Sequence, residues 1–404
     1  MKILDLNFTN TEYNKARYYS NVSEGIEPFL VKDILDKENI LTSIIIYEDR
    51  SSLENSYRLL KLILPQYNIL KLPAWNSNPY EDVSPDQNIL NDRFVCFKQT
   101  ENKKKKKIIL CTINSLIKLV PKKNNLDVYS INFEENKKYN LDEILMEFYE
   151  IGYKRVDLVL EPNEIAIRGG VFDVWPIGKP TPFRLDFFGN KLESIKSFNP
   201  VSQLSKNNFN SLRVDQSLES PNSKKALQCF IKNSRNKFGP ILTNNNFTPE
   251  SLSENKPEGI EQYLPLFYND ELENIFSFFD AELIIAGSNI LSLIEKKIEH
   301  INNIYNEKIN DLDSGNEFNF QPLPPSSLYI LPTTFKKTIA KVQTIFFSRF
   351  DLNISSKAIN IFSSDNIDLV LKAEKKSNSE NLLNVIKKKI GKKKLIITYT
   401  SENE

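Results

Sequence analysis

The sequence predicts an α/β protein whose larger unit is interrupted by a small β-rich, α+β unit. Residues 1–120 and 215–325 alternate short apolar runs with stretches of helical period, which is typical of a sheet covered by helices. Residues 121–214 instead carry closely spaced strand patterns and a hairpin signal. Residues 326–404 follow a proline-rich linker and predict a further, partial α/β domain that includes a helix at 382–390.

The two α/β segments each combine a short apolar run with an amphipathic helix. Residues 43–47 predict a buried strand, and residues 51–64 predict a helix with a single apolar stripe. Residues 84–86 are Ser-Pro-Asp, a capping residue followed by proline and an acid, so a second helix is predicted to start there. In the later segment residues 282–286 predict a strand. The helix after it has a stripe made of Ile294, Ile298, Ile301 and Tyr305.

The β-rich segment contains its own strand and turn signals. Residues 165–167, 171–175 and 183–188 predict strands, and Gly189-Asn190 is a two-residue hairpin turn. The return strand is less regular, because its apolar residues recur every third position. This spacing predicts either a bulge or a short helical turn.

Composition excludes several classes of site. The chain has 53 Lys and Arg against 52 Asp and Glu, so a net charge of +1 provides no overall attraction to nucleic acid or membrane. Three widely spaced cysteines and one histidine argue against a disulfide framework, a structural zinc site or a histidine-based triad. No apolar run approaches 18 residues. We therefore expect a cytoplasmic protein with no catalytic residue, cofactor, metal or membrane partner.

One strand carries a pattern typical of a binding surface. Along residues 183–188 the side chains alternate, so that Arg184 and Phe188 share the face opposite the apolar one. Arginine and aromatic residues are enriched at protein interfaces, which favours a partner-binding face. The alternative is a surface ion pair beside a half-buried phenylalanine, and the pattern alone leaves both open.

Longer motifs add a resemblance to a known family. They are LPAW at 72–75 with PY at 79–80 and SP at 84–85, GY and RVD within 152–157, EIAIRGGVFD at 164–173, FRLDFF at 183–188, and GIEQY at 259–263. In order and spacing they resemble the bacterial transcription-repair coupling factor family, Mfd, from about residue 10 to the end. The resembled part is the family's amino-terminal module, which is similar to the excision-repair protein UvrB, with part of the next domain.

The resemblance implies a fold, a partner and a site. The fold is a degenerate RecA-like, UvrB-like α/β domain with an inserted domain that binds the damage-recognition ATPase UvrA. The family residues that contact UvrA match Arg168, Arg184 and Phe188. RNA polymerase and damaged DNA are implied as indirect partners, through the carboxy-terminal part of the family. The implied function is a non-catalytic adaptor that helps recruit nucleotide excision repair to stalled transcription.

The motifs of an ATP-driven motor are missing from the expected positions. A phosphate loop ends in Gly-Lys-Ser or Gly-Lys-Thr, whereas residues 20–27 have one glycine, no lysine and the carboxylates Glu24 and Glu27. The strand at 283–285 runs into Ala-Gly-Ser rather than an acidic pair that would organise Mg²⁺. We therefore predict that the chain as it stands is not an enzyme, although the full-length family is an ATP-dependent DNA translocase.

Three other hypotheses compete with the adaptor. A nucleic-acid-binding scaffold would use the lysine-rich runs at 103–107 and 387–394 to contact phosphates. A split subunit would be completed by a separate ATP-dependent DNA translocase chain. A divergent DNA-dependent ATPase would need a phosphate loop, which the sequence lacks.

Overall fold

The structure is a computed structural model that describes residues 16–23, 25–99, 105–126, 130–239, 252, 256–313, 321–350 and 358–361. The predicted helix at 382–390, the lysine-rich run at 387–394 and Glu24 lie outside these residues.

The described strands are, in chain order, β1 (Ala16–Ser20), β2 (Thr42–Tyr47), β3 (Asn68–Leu72), β4 (Lys107–Thr112), β5 (Val120–Pro121), β6 (Ser130–Glu134), β7 (Lys154–Arg155), β8 (Glu164–Arg168), β9 (Val171–Val174), β10 (Phe183–Phe188), β11 (Lys191–Phe198), β12 (Ser205–Phe209), β13 (Ser211–Asp215), β14 (Leu272–Glu273), β15 (Leu283–Gly287), β16 (Gln343–Phe347) and β17 (Ala358–Asn360).

The described α-helices are α1 (Glu27–Lys37), α2 (Arg50–Ile63), α3 (Gln87–Lys98), α4 (Ile113–Leu116), α5 (Lys123–Leu126), α6 (Leu141–Glu150), α7 (Lys224–Phe238), α8 (Leu264–Phe267), α9 (Ile275–Phe278), α10 (Ile290–Asp313), α11 (Pro325–Leu328) and α12 (Pro332–Lys341). A 3-10 turn, Ile260–Tyr263, precedes α8.

The larger unit is a parallel sheet with the strand order β17-β1-β16-β15-β2-β4-β3. Every residue of β2 is buried, as expected of a parallel strand with both faces covered. Ile44 and Ile46 enter one apolar core with α10, whereas Ile45 and Tyr47 enter a second core with α1 and α2. The predicted α/β class is therefore confirmed, with helices on both faces of the sheet.

The helix predicted after Ser84 begins later than its sequence signal indicates. α3 starts at Gln87, and Asp86 stands at its N-cap without a side-chain hydrogen bond. The Ser84 hydroxyl instead donates to Glu261 at 2.7 Å and accepts from the Gly259 N–H at 3.0 Å. The predicted capping role of Ser84 is wrong, because this side chain is bound by a segment distant in sequence.

Residues 326–404 are predicted to form a partial domain, and only 326–350 and 358–361 of them belong to the described residues. β16 lies between β1 and β15 and pairs with both in parallel. β17 forms the far edge of the same sheet, next to β1. The described residues beyond 326 therefore complete the large sheet, since without β16 the strand β1 has no hydrogen-bonded link to it.

The smaller unit has a six-stranded sheet with the order β12-β11-β10-β9-β8-β7, in which β7 and β8 are parallel and the other pairs antiparallel. α6 packs Ile144 and Phe148 against the apolar face of this sheet. The register of β10 against β11 shifts after Asp186, so the bulge that the sequence left open is present. None of the described strands of this sheet pairs with the large parallel sheet.

A buried ion pair joins the two halves of the larger unit, one before and one after the smaller unit in the chain. Arg93 of α3 and Glu219, which follows β13, are both essentially inaccessible to solvent. The Arg93 Nε and Nη2 groups donate to the Glu219 carboxylate, and Nη1 donates to the Pro73 carbonyl at 2.8 Å. Ile177 of the smaller unit is buried in a core of the larger one. Among the described helices, none is both long enough and apolar enough to cross a lipid bilayer.

Candidate functional site

The sheet of the smaller unit has one face that points away from α6, here called the outer face. It includes Arg168, Asp173, Arg184, Asp186 and Phe188. In the antiparallel pairing of β10 with β9, Arg184 lies directly opposite Asp173. Strand alternation is regular along β10, where the odd-numbered residues Phe183, Leu185 and Phe187 are buried. The three residues matched to the UvrA contact therefore lie on one face of one sheet.

A buried carboxylate brings the two arginines of the candidate site together. Asp173 is 1% exposed, and it accepts hydrogen bonds from Arg184 Nε at 2.7 Å and Nη2 at 2.9 Å. It also accepts from Arg168 Nη2 at 2.8 Å. Sequence patterns alone do not single out Asp173. The available signal was its position in the 164–173 motif, where an acid sits on a strand that is otherwise apolar.

Arg184 makes further contacts within the unit. Its Nη1 donates to the Gln203 carbonyl and its Nη2 to the Gln203 side-chain oxygen, both at 3.2 Å. The guanidinium carbon lies 4.7 Å from the centre of the buried Phe198 ring. The hydrogen bonds to Asp173 raise the pKa of Arg184, so the side chain is firmly cationic. Only 18% of the side chain is exposed, and all three of its nitrogens donate hydrogen bonds within the protein.

Phe188 and Arg168 are the exposed members of the site. Phe188, at the end of β10, is 74% exposed, whereas Phe187 beside it is buried. The Phe187 N–H donates to the Gly170 carbonyl at 2.7 Å. A Cβ atom on Gly170 would lie 2.5 Å from the Phe187 carbonyl, so only glycine allows this turn to approach β10. Arg168, which is 50% exposed, precedes this turn and therefore lies at the same end of the outer face.

A second polar pair completes the outer face. Asp186 accepts hydrogen bonds from the Lys196 ammonium at 2.9 Å and from the Ser194 hydroxyl at 2.7 Å. Both members of the Asp186–Lys196 pair are about one-third exposed. The surface ion pairs of the alternative hypothesis are therefore present, but Phe188 is not half-buried among them.

A separate cleft of about 480 Å³ lies at the carboxyl ends of β1, β2, β15 and β16. In open parallel sheets this is the edge where ligands bind. The connection between β1 and α1, where a phosphate loop is expected, and the end of β15, where an acidic pair is expected, both reach this cleft. At α1 the N-cap is Ile26, which provides no side-chain hydrogen bond, and the first turn carries Glu27.

The lining of this cleft does not favour a phosphate. Glu27, Glu48 and Asp49 all line it, with Arg349 as the basic residue. Asp49 accepts hydrogen bonds from the Ser52 N–H and hydroxyl, which lower the pKa of this carboxyl and keep it charged. In the described part of the chain, no three side chains of metal-ligating type come together. Carboxylates thus occupy positions where a nucleotide site presents donors and cations.

The lysine-rich run at 103–107 is described only in its last residues. Lys107 lies within β4 and is almost fully buried. Lys106 lies over the Tyr67 ring, with its ammonium 5.6 Å from the ring centre. Lys106 and Lys107 therefore pack on the larger unit, whereas Lys105 is exposed.

Comparison with known proteins finds similarity to one domain family and to one group of repair proteins. Residues 131–216 match the family described as the UvrB interaction domain. The chain is 27% identical over 277 residues to the transcription-repair-coupling factor of Haemophilus influenzae, covering 68% of this chain and 24% of that protein. For that of Rickettsia bellii the identity is 24% over 376 residues, covering 93% and 33%. For that of Escherichia coli it is 25% over 231 residues, covering 57% and 20%.

The similarity extends over most of this chain but over only part of each relative. The chain spans between a fifth and a third of the length of these three proteins. The matched domain contains Arg168, Arg184 and Phe188, and therefore the whole outer-face site. The chain is thus similar to the transcription-repair-coupling factors along most of its length, with its outer face inside a region that matches the UvrB interaction domain.

Proposed function

We propose that the chain is a non-catalytic repair adaptor that binds UvrA through the outer face, with Arg168, Arg184 and Phe188 contributing most to binding. The observation that carries this proposal is Phe188, which is 74% exposed on the same sheet face as two arginines held by a buried carboxylate. Aromatic and arginine side chains dominate the binding energy of protein interfaces. The match to the UvrB interaction domain supports the same location.

The printed name of the relatives, transcription-repair-coupling factor, supports the wider role. In the cytoplasm, the chain contributes partner recruitment to a coupling factor that acts on stalled transcription. RNA polymerase and damaged DNA are then indirect partners, reached through other parts of such a factor. This chain's own contribution is the contact with UvrA.

The experiment that tests UvrA binding replaces Phe188 by alanine. Phe188→Ala should weaken binding to purified UvrA about thirtyfold, because a hot-spot aromatic contributes ~2 kcal/mol or more. Met146→Ala is the matched control, since Met146 is also exposed but lies on α6, behind the sheet. Both variants should melt within a few degrees of the parent. Unchanged affinity in Phe188→Ala, or equal losses in both variants, would contradict the proposal.

The absence of catalysis is a second, separate part of the proposal. Glu27, Glu48 and Asp49 disfavour a triphosphate in the cleft, and the β1–α1 connection has no lysine to contact one. Titration calorimetry should detect no ATP binding, and hydrolysis with or without DNA should match a blank. DNA-stimulated turnover by the purified chain would refute the adaptor as a complete description.

A further inference from the structure

We propose that the loop formed by residues 199–204 is a second contact of the same UvrA-binding surface, and that Arg184 acts on binding through this loop. The inference rests on the proposed function and deepens it. It makes Arg184 a positioning residue, and it assigns direct contacts to Val201 and Leu204 in addition to those of Phe188 and Arg168.

The 199–204 loop has a defined conformation. The Asn199 N–H donates to the Leu204 carbonyl at 3.0 Å, and the Gln203 N–H donates to the Asn199 carbonyl at 2.8 Å. The Asn199 side-chain oxygen accepts from the N–H groups of Val201 and Ser202, both at 2.9 Å. These bonds close the loop onto Asn199, so its side chains are presented in fixed directions.

The loop displays apolar side chains to solvent. Val201 is 88% exposed and Leu204 is 69% exposed. Gln203 lies between them with a φ of 58°, a left-handed conformation that is uncommon for a residue other than glycine, asparagine or aspartate. Isolated exposed apolar residues are ordinary on a protein surface. Here two of them occur in one ordered loop whose strained residue contacts the candidate site.

Arg184 supplies the link between this loop and the outer face. Its two terminal nitrogens bind the carbonyl and the side chain of Gln203, while Nε and Nη2 bind Asp173. With its nitrogens occupied and little of the side chain exposed, Arg184 is poorly placed to bind a partner carboxylate directly. Its guanidinium instead holds the loop against the sheet at the position where Val201 and Leu204 face solvent.

The exposed groups define the chemistry of the partner. Arg168 is half exposed, and its hydrogen bond among the described residues uses one nitrogen, so N–H groups face solvent and can bind a carboxylate. Phe188, Val201 and Leu204 offer apolar contacts on the same unit. The complementary surface on UvrA therefore carries an acidic side chain together with exposed apolar ones.

The test replaces both apolar residues of the loop. Val201→Ser with Leu204→Ser should weaken binding to purified UvrA about tenfold or more, with an unchanged melting temperature because both side chains are exposed. The control pair is Leu62→Ser with Met146→Ser, which removes two similarly exposed apolar side chains from helices elsewhere in the chain. This control should bind UvrA like the parent.

A double-mutant cycle tests the positioning role of Arg184. Arg184→Gln should weaken binding in the parent, but should have little further effect when Val201 and Leu204 are already serine. Full additivity of the two losses, measured on folded protein, would show direct contact by Arg184 and overturn its assignment as a positioning residue.

The same titrations separate failure of this inference from failure of the proposed function. Loss of binding in Phe188→Ala with parent-like binding in the Val201→Ser, Leu204→Ser variant overturns the loop contact and leaves the proposed function intact. A parent chain that does not bind UvrA overturns both.

Discussion

The side chains of the outer face differ in whether they make contacts within the protein. Strand alternation puts Arg184 and Phe188 on the same face, which the sequence could predict. It could not predict that Arg184 contacts a buried carboxylate, because Asp173 lies on another strand and the pairing depends on register. Arg184 is therefore expected to contribute to stability, whereas the exposed Phe188 is not.

Arg184→Ala should consequently destabilise the protein. The change leaves the Asp173 side chain, which is 1% exposed, with the half-exposed Arg168 as its remaining partner among the described residues. Removing charged hydrogen bonds from a buried carboxylate costs on the order of 2 kcal/mol or more. Urea unfolding should show this loss of free energy, with Phe188→Ala as the control within about 0.5 kcal/mol of the parent. Equal stability of the two variants would count against a structural role for Arg184.

Lys118 predicts a dependence of stability on pH. Burial lowers the pKa of Lys118 well below its usual range, and the nearby Arg93 guanidinium lowers it further. The ammonium lies 3.1 Å from the centre of the Trp75 ring. Between the lowered pKa and the unfolded value near 10.5 the unfolded state binds more protons, so the free energy of unfolding rises with pH.

Lys118→Met should remove this contribution. At a pH below the lowered pKa, the parent bears the full free-energy cost of burying a charged Lys118, and the variant does not. Above it, the parent should gain stability relative to Lys118→Met by up to about 1.4 kcal/mol per pH unit. Urea unfolding of both proteins from pH 6 to 9.5 measures the difference. Parallel curves over this range would mean that Lys118 does not titrate in the folded state differently from the unfolded one.

At the scale of elements, local patterns predicted strands and helices better than the segments between them. β8, β10 and the turn at Gly189 match their sequence signals because alternation and turn chemistry are local properties. The start of α3 was predicted too early because Ser84 instead forms hydrogen bonds with the 258–262 segment, about 175 residues further along the chain. Contacts at such separation leave no periodic signal in the sequence.

Gly259→Ala tests the contact between these two segments. Gly259 has a φ of 75°, and a Cβ atom there would lie 2.9 Å from the Glu81 carbonyl. Gly25 is the matched control, since its φ is 81° but a Cβ atom would meet nothing within 4 Å. Gly25→Ala should cost about 1 kcal/mol from backbone strain alone, and Gly259→Ala clearly more. Thermal or urea unfolding compares them, and equal losses would exclude a steric role for the contact.

At the scale of the whole molecule, one buried ion pair joins the two halves of the larger unit across the insertion. Arg93 and Glu219 are 126 residues apart, so neither residue alone signals its partner in the sequence. Such pairs are costly to break because the remaining charge is left without compensation in a site that excludes water. The stability of the larger unit should therefore respond strongly to single changes at either position.

Arg93→Met and Glu219→Leu should each lower the free energy of unfolding by about 3–5 kcal/mol. Combining them removes both charges, so the double variant should be more stable than Arg93→Met alone, where the Glu219 carboxylate is left unpaired. Chemical denaturation of the four proteins provides the cycle. Losses that simply add would show that the two side chains contribute independently.

The pairing of β6 with β13 has a consequence for how this architecture arose. Ser130 lies opposite Asp215, so the chain leaves and rejoins the larger unit at neighbouring points. A segment with adjacent ends can be gained in one genetic event, because the host strands before and after it keep their places. The parallel sheet, with β4 before the insertion and β15 after it, needs no rearrangement to accommodate it. A segment inserted in this way can pass between proteins without disturbing the sheet that receives it.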